Sequence, residues 1–274
     1  MSKIRLDVLL VERNLVETRE KAKRTIMAGL VFSNQMRMDK PGMKVSEDIP
    51  LEVKGKAIPY VGRGGLKLEK ALQFFDINVK GKVMVDIGSS TGGFTDCALQ
   101  HGVLKSYAID VGYNQLDWKL RSDERVIVME RTNFRHVTPD HFQQGFPNLA
   151  TIDVSFISLK LILPVLKHIL QADSDVIALI KPQFEAGREQ VGKKGIVRDP
   201  KVHQQVLDTI ISFAKNEGFV LLNLTHSPIT GGDGNIEFLA HFGWNKSVIE
   251  DRERFNFNQI TEAAHTELLA NKNN

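Results

Sequence analysis

The 274-residue chain contains a single cysteine, Cys97, which excludes an intramolecular disulfide and any Cys-rich zinc site. One unpaired cysteine suits a reducing cytoplasm. No stretch reaches the roughly 18 consecutive apolar residues of a membrane-spanning helix. The most apolar segment, 155–170, is interrupted by Lys160, Pro164, Lys167 and His168. Charges break up the apolar positions of the first residues, so no secretion signal is expected there. Internal repeats and low-complexity tracts are missing. His, Cys and carboxylate residues nowhere adopt ligand-like spacing, so no metal is expected. The net charge is only +3. What remains is an ordinary soluble globular composition, long enough for one large domain and a small one.

The charge that is present is unevenly placed. Residues 1–60 hold 12 Lys and Arg against 8 Asp and Glu, whereas the rest of the chain holds 24 against 25. A local basic surplus points to an anionic partner. In this basic piece Leu6, Leu9, Leu10 and Leu15 fit one apolar helical face. Thr18 is placed to N-cap a second helix carrying Ala22 and Ile26, and Gly29 to end it. VFSNQMRM then reads as a strand into a turn, and KPGMKVSEDIPLEV as a turn and a second strand. The glycine-dense run GKAIPYVGRGGLK marks a linker at about 55–66. It divides a domain of residues 1–60 from one of residues 61–274.

From about residue 81 short apolar strands alternate with helical stretches. The strands are VMVDI, SYAID, VIVME, LATIDV, VIALIK, FVLLNL and IEFLAHF, with helices at 158–170 and 200–217 and a further one at QITEAAHTELLA. Alternation at this spacing implies an α/β fold: a doubly wound, mostly parallel, Rossmann-like sheet, joined here to a small N-terminal α+β domain. Such sheets bind ligands beyond the carboxyl ends of their strands.

The segment VMVDIGSSTGGFTD is a strand, a glycine-rich turn and the start of a helix. Gly88 permits a sharp turn off the strand, and Gly92 and Gly93 permit close approach of a ligand to the backbone. Asp110 stands 24 residues after Asp86 and is placed to bind ribose hydroxyls. The spacing is not the G-x-G-x-x-G of dinucleotide sites. The D-x-G-x-x-x-G-G form is the one expected where no pyrophosphate needs cradling, as in S-adenosylmethionine enzymes; a tight turn without a ligand is the plainer alternative.

Four charged residues fall at the ends of apolar strands or at the start of the nucleotide-binding core: Lys67, Asp153, Lys181 and Glu237. Charges in or beside apolar strands are costly unless paired, so four of them suggest a built site. Ordinary ion pairs are the alternative for each one taken alone. A lysine is normally protonated near neutral pH, and burial or a second cation lowers its pKa toward a working range for a general base. On that reasoning Lys181 is the base, or steers the attacking oxygen, Lys67 holds substrate, and Asp153 and Glu237 orient the amines.

The motifs DIGSSTGGFTD, DVGYNQL, ERTN, DVSFISL, KPQFE and GNIEF resemble those of the FtsJ-type methyltransferase domain. Arg5-Leu6-Asp7, Thr18-Arg19, Ala22, Ile26, Gly29, Val31 and Asn34 resemble an S4 RNA-binding domain. Together they cover nearly the whole chain and resemble the TlyA family of ribosomal RNA 2′-O-methyltransferases, long known as haemolysins. The resemblance implies a Lys-Asp-Lys-Glu tetrad at Lys67, Asp153, Lys181 and Glu237, and S-adenosylmethionine as cofactor. It places cofactor contacts at Asp86, Gly88, Ser90, Thr91, Gly92, Gly93, Phe94, Asp110, Val111, Asn133 and Asp153. Ribosomal RNA or ribosomal subunits are the implied partner, with cytidine as target. Relatives commonly carry an aromatic-Val-Ser-Arg-Gly linker, where this chain has Tyr60-Val61-Gly62-Arg63-Gly64.

RNA contacts are expected from Arg5, Arg19, Lys21, Lys23, Arg24 and Arg63, with the S4-like module gripping phosphates. A solvated helix face is the reading that charge alone favours. The basic loop 186–200, carrying Arg188, Lys193, Lys194 and Arg198, lies where a substrate lid is useful. Phe94, Tyr113, Phe156 and Phe184 are candidates to stack an adenine or a target base, against a plainer role in the core. Three rival readings are a membrane-lytic protein, an RNA-binding protein without catalysis and a small-molecule methyltransferase. The missing spanning segment argues against the first, the intact tetrad against the second, and the S4-like module against the third.

Overall fold

A computed structural model describes residues 3–27, 29–54, 58–231, 234–246 and 255–270. The chain divides into two units, Met1–Arg63 and Gly64–Asn274. Residues 55–57, at the start of the expected linker, lie outside the described residues.

In the first unit β1 (Lys3–Arg5) runs into helix α1 (Leu6–Glu12), and α2 (Arg19–Met27) follows. Thr18 caps α2, its Oγ1 accepting the Lys21 N–H at 3.2 Å. Strands β2 (Val31–Ser33), β3 (Met36–Arg37), β4 (Lys44–Ser46) and β5 (Glu52–Val53) complete the unit. They form two small sheets: β1 pairs with β4, and β2 lies between β3 and β5. Leu6, Leu9, Leu10, Ala22 and Ile26 are buried and pack with Val16, Val31 and Val45. Leu15 is an exception to the expected face: it is exposed, and Val16 is buried in its place. The helix ends at Glu12 and Asn14 turns the chain at φ +56°, which rotates the register by one residue.

The second unit opens with α3 (Gly64–Phe75), then β6 (Val83–Ile87), α4 (Gly93–Gln100), β7 (Lys105–Ile109), α5 (Trp118–Arg121), β8 (Val126–Met129) and β9 (Leu149–Ile152). A short helix α6 (Leu163–Leu166) leads to β10 (Ser174–Ile180) and α7 (Pro182–Glu185). Helix α8 (Pro200–Asn216), β11 (Phe219–His226), β12 (Phe238–Trp244) and α9 (Phe257–Ala270) complete it. The seven expected strands form one sheet in the order β11-β12-β10-β9-β6-β7-β8. The pairings from β10 through β8 are parallel, whereas β12 is antiparallel to both its neighbours. Beginning with β6, next to the central strand β9, the chain winds out to one edge and returns to build the other, which leaves a crevice between β6 and β9.

The helix expected over 158–170 forms only in pieces. A 3₁₀ turn at Leu159–Leu161 precedes α6, because Pro164 has no N–H to continue a ladder of i to i−4 bonds. Helix α8 forms as expected, with Asp199 capping it through the Lys201 N–H at 2.9 Å. Its buried face, Val206, Leu207, Ile210 and Ala214, joins a core with Val176, Ala178, Phe238 and Phe242.

Candidate functional site

Strand register brings the charged residues together. Ile180 on β10 pairs with Phe238 on β12, so Lys181 and Glu237, each one residue beyond its strand, leave the sheet side by side. Parallel pairing of β10 with β9 puts Asp153 next to them, one residue past Ile152. Lys67 comes from the first turns of α3 and is buried.

The contacts form a chain. Lys67 Nζ donates to Glu237 Oε2 at 2.7 Å and lies 3.6 Å from Asp153 Oδ2. Lys181 Nζ is ion-paired with Asp153 Oδ1 and donates to Ser155 Oγ at 3.3 Å. Two amines and two carboxylates thus share a buried site. Burial alone favours neutral lysine, yet Asp153 and Glu237 outweigh it and raise the Lys67 ammonium above its ordinary pKa. Burial likewise opposes ionisation of Asp153, and Lys67 and Lys181 outweigh it and hold the carboxyl below its ordinary pKa. Lys67 is therefore a fixed cation.

Beside this cluster lies a cleft of about 420 Å³, within the range of roughly 300–1,000 Å³ common for small-molecule sites. Ile87, Gly88, Ser90, Asp110, Val111, Asn133 and Asp153 are among the residues lining it. Asp153 belongs to both the cleft and the charged cluster. At Gly88, φ is +82° and an added Cβ would lie 2.6 Å from the Asp153 carbonyl oxygen, so no larger residue fits the turn. Asp110 accepts the Ser90 N–H at 2.8 Å and the Gly112 N–H at 2.7 Å, leaving one lone pair on each oxygen for a ligand.

Other residues of the expected cofactor set stand outside the cleft lining. Asp86 is fully buried beneath the turn: it accepts the N–H and Oγ1–H of Thr95 at 3.1 and 2.7 Å and the Thr151 hydroxyl at 2.9 Å. Burial lifts its carboxyl to about 6 against the pull of the Thr95 and Thr151 hydrogen bonds. Its contacts tie the start of α4 to β9. Thr91 accepts the Asp117 N–H through its carbonyl, and Gly92, Gly93 and Phe94 form the entry to α4.

Three contributors stand in the motifs ERTN and KPQFE but receive no role from the sequence alone. Glu130 accepts the N–H groups of Asn114, Gln115 and Leu116 at 2.9, 2.9 and 3.2 Å and pairs with Arg121 at 2.7 Å, which shapes the loop after Asp110. These bonds, the Arg121 one foremost, lower its carboxyl to about 2. It sits one residue past β8, the same signal that marked Asp153 and Lys181. Glu185 binds the Ser158 hydroxyl at 2.5 Å and the Leu159 N–H at 2.8 Å, pinning the loop that carries Phe156. Gln183 donates to Glu237 Oε1 at 3.3 Å.

Phe156 is 91% exposed and holds φ at +64°, an unusual conformation for a bulky residue. Its ring lies 5.0 Å from that of Phe184 at the mouth of the cleft. Of the other aromatic candidates, Phe94 is buried and Tyr113 is exposed, with Arg131 stacked on its ring at 4.0 Å. The basic loop 186–200 is tied at its far end: Asn235 accepts the Val197 N–H at 3.0 Å and donates to the Gly195 carbonyl at 2.9 Å.

In the first unit Arg5 and Arg19 converge on buried Asp7 at 2.9 and 3.1 Å. The Arg5 bond is the largest of the influences that lower Asp7 to about 2. Lys21 and Lys23 pair with Glu17 and Glu20 along α2 at 3.0 and 2.7 Å. Arg24 shares that helix, and Arg63 is an exposed residue at the end of the unit. Four of these cations thus have an acidic partner within the unit.

The family model described as FtsJ-like methyltransferase matches residues 60–244, and that of the S4 domain matches residues 4–48. The 16S/23S rRNA (cytidine-2′-O)-methyltransferase TlyA of Mycobacterium tuberculosis is 40% identical over 235 residues, covering 85% of this chain and 87% of that protein. The chain belongs to the TlyA family of FtsJ-like methyltransferases. Another relative, YqxC of Bacillus subtilis, is 64% identical over 98% of this chain and 97% of its own length. Among solved structures, one named as a hemolysin from Streptococcus thermophilus covers 100% of both chains at 51% identity and a TM-score of 0.80. The family membership accounts for the sheet order and for the S4 domain ahead of it. As to the haemolysin name, no helix among the described residues is long and apolar enough to cross a membrane.

Proposed function

We propose that this chain methylates the ribose 2′-hydroxyl of cytidine in ribosomal RNA, using S-adenosylmethionine. The observation that carries the reading is the position of Asp153, shared between a ligand-sized cleft and a buried Lys-Asp-Lys-Glu cluster. The relative from M. tuberculosis has that activity in its name.

The cleft suits the cofactor: Gly88 makes a tight turn at its edge where a side chain would strike the Asp153 carbonyl, and Asp110 keeps acceptor capacity for ribose hydroxyls. Gly88, Ser90, Val111 and Asn133 would hold the rest, while Asp86, Thr91, Gly92, Gly93 and Phe94 support the turn. Bound S-adenosylmethionine supplies a methyl group made electrophilic by its sulfonium sulfur.

The chain's own task is to hold the hydroxyl in line and receive its proton. Lys181, bound to Asp153 and Ser155, has a third position on its amine for the 2′-oxygen. Lys181 receives the hydroxyl proton as the oxygen attacks the methyl carbon, and Asp153 balances the ammonium so formed. Phe156 and Phe184 offer apolar faces to the target base at the cleft mouth. Arg5, Arg19, Lys21, Lys23, Arg24 and Arg63 supply phosphate contacts, with affinity falling steeply as salt is added.

The test is transfer of labelled methyl from S-adenosylmethionine to ribosomal subunits lacking this modification. Label in a dinucleotide resistant to alkaline cleavage supports 2′-O-methylation. Label on a base, or no label despite cofactor binding, contradicts it.

A further inference from the structure

Helix α7 is only one turn long, yet its residues reach the site in three directions. It follows Lys181 directly, and Phe184 meets Phe156 while Glu185 pins the Phe156 loop. Gln183 reaches Glu237. Glu237 has a different partner on each oxygen: Oε2 accepts from Lys67 at 2.7 Å and Oε1 from Gln183 Nε2 at 3.3 Å. The side chain of Glu237 is only 3% exposed, and an added Cβ on Gly231 would lie 2.6 Å from Oε1, so protein closes around that oxygen.

The other end of the Gln183 amide is the informative one. Its Oε1 is buried and has no hydrogen-bond partner among the described residues. An ionised carboxylate accepts only, so the NH2 of the amide must face Glu237 and its carbonyl must face away. The amide NH2 is therefore the group that Gln183 presents to Glu237.

We propose that Gln183 is a positioning residue for methyl transfer: it fixes the Glu237 carboxylate so that Oε2 holds the Lys67 ammonium in the cluster. The inference rests on the function proposed above and extends it by one residue. Gln183 touches neither amine; it acts through Glu237.

The test uses the full-length protein with Gln183→Met, which keeps the volume and removes the donor, and Gln183→Glu, which keeps the shape. Single-turnover methyl transfer by Gln183→Met is expected to fall roughly 10- to 100-fold, the scale of a small misplacement in a site. Affinities for S-adenosylmethionine and for RNA stay within about twofold, since Gln183 does not line the cleft. In Gln183→Glu two carboxyl groups face each other, and a proton shared between them restores a donor toward Glu237. The ratio of its rate to that of the unsubstituted protein should therefore climb as pH falls. A merely structural role gives a ratio that is flat with pH.

A second readout needs no RNA. The Lys67 side-chain amine is followed by NMR, assigned by its loss in Lys67→Arg, and should titrate at lower pH in Gln183→Met. An active parent protein with Gln183→Met at full rate and an unmoved Lys67 titration overturns the role of Gln183 alone. A parent protein that transfers no methyl while Lys67 titration moves in Gln183→Met overturns the proposed reaction and upholds the Gln183–Glu237–Lys67 linkage.

Discussion

Asp153 and Lys67 are 3.6 Å apart in a site from which most solvent is excluded, and the second oxygen of the same carboxylate holds Lys181. One acid therefore serves two amines, while Glu237 compensates the charge left over. Removing a single member leaves buried charge without its partner, which costs more than the pair contributes.

Asp153→Asn is accordingly expected to lose both activity and stability. Denaturant titration should show a loss of about 3 kcal/mol, and methyl transfer should fall at least roughly 100-fold. Asp153→Asn with unchanged stability would mean that solvent, not Asp153, balances the lysines.

Phe156 separates stability from activity. Its side chain is exposed and its backbone is left-handed, so Phe156→Gly removes strain at little packing cost. The variant should be as stable as the parent or gain up to about 1 kcal/mol. It should nonetheless methylate RNA at a rate reduced by roughly tenfold or more, because base stacking contributes on the order of 1–3 kcal/mol. Full activity would remove the aromatic pair from the account of substrate binding.

Glu130 shapes the loop that lines the cleft beyond Asp110. Glu130→Gln keeps one acceptor oxygen against three backbone donors and Arg121, and should weaken S-adenosylmethionine binding by roughly tenfold. At saturating cofactor the rate should recover. Calorimetric titration gives the affinity, and unaltered binding would show that the loop holds its shape without the carboxylate.

His203, on α8, is buried against His265 of α9 at 3.0 Å. Burial first, and His265 second, lower its pKa to about 4 from an ordinary 6.5. A group with a depressed folded pKa contributes stability that is complete above 6.5 and is lost as pH falls toward 4. The loss amounts to roughly 3 kcal/mol. Asp86, raised to about 6, works in the opposite sense over an overlapping range, so the comparison must be with His203→Gln. The stability difference between the parent and His203→Gln should shrink in favour of the variant through this window. A difference constant with pH would rule out the histidine as the cause.

How much of this was legible in the sequence depends on the range of the interaction. The seven strands could be read because each is a local apolar run, and α8 because its periodicity and cap are local too. The segment 158–170 reads as one helix, but Pro164 breaks its backbone ladder, and Leu15 falls off the expected apolar face because a turn at Asn14 shifts it. The charged residues are visible in the sequence as polar positions past apolar strands or, for Lys67, at the start of the nucleotide-binding core, and their number together with the family resemblance points to one site. The contacts within that site are not legible, since they depend on the Ile180–Phe238 pairing and on α3 docking from well upstream. Gln183 and Glu130 were harder still. A glutamine after Lys-Pro in KPQFE and a glutamate after a strand in ERTN carry no assignable role until the register places Glu237 beside one and the 112–116 loop around the other.

The central claim is that Lys181 meets the reacting hydroxyl. Single-turnover methyl transfer to ribosomal subunits by Lys181→Ala, with S-adenosylmethionine affinity measured on the same protein, tests it most directly. The account predicts transfer lost by at least roughly 1,000-fold with cofactor affinity nearly intact, the scale of a general base together with its positioning role. Transfer at the parent rate would contradict it and return the cluster to a structural ion-pair network.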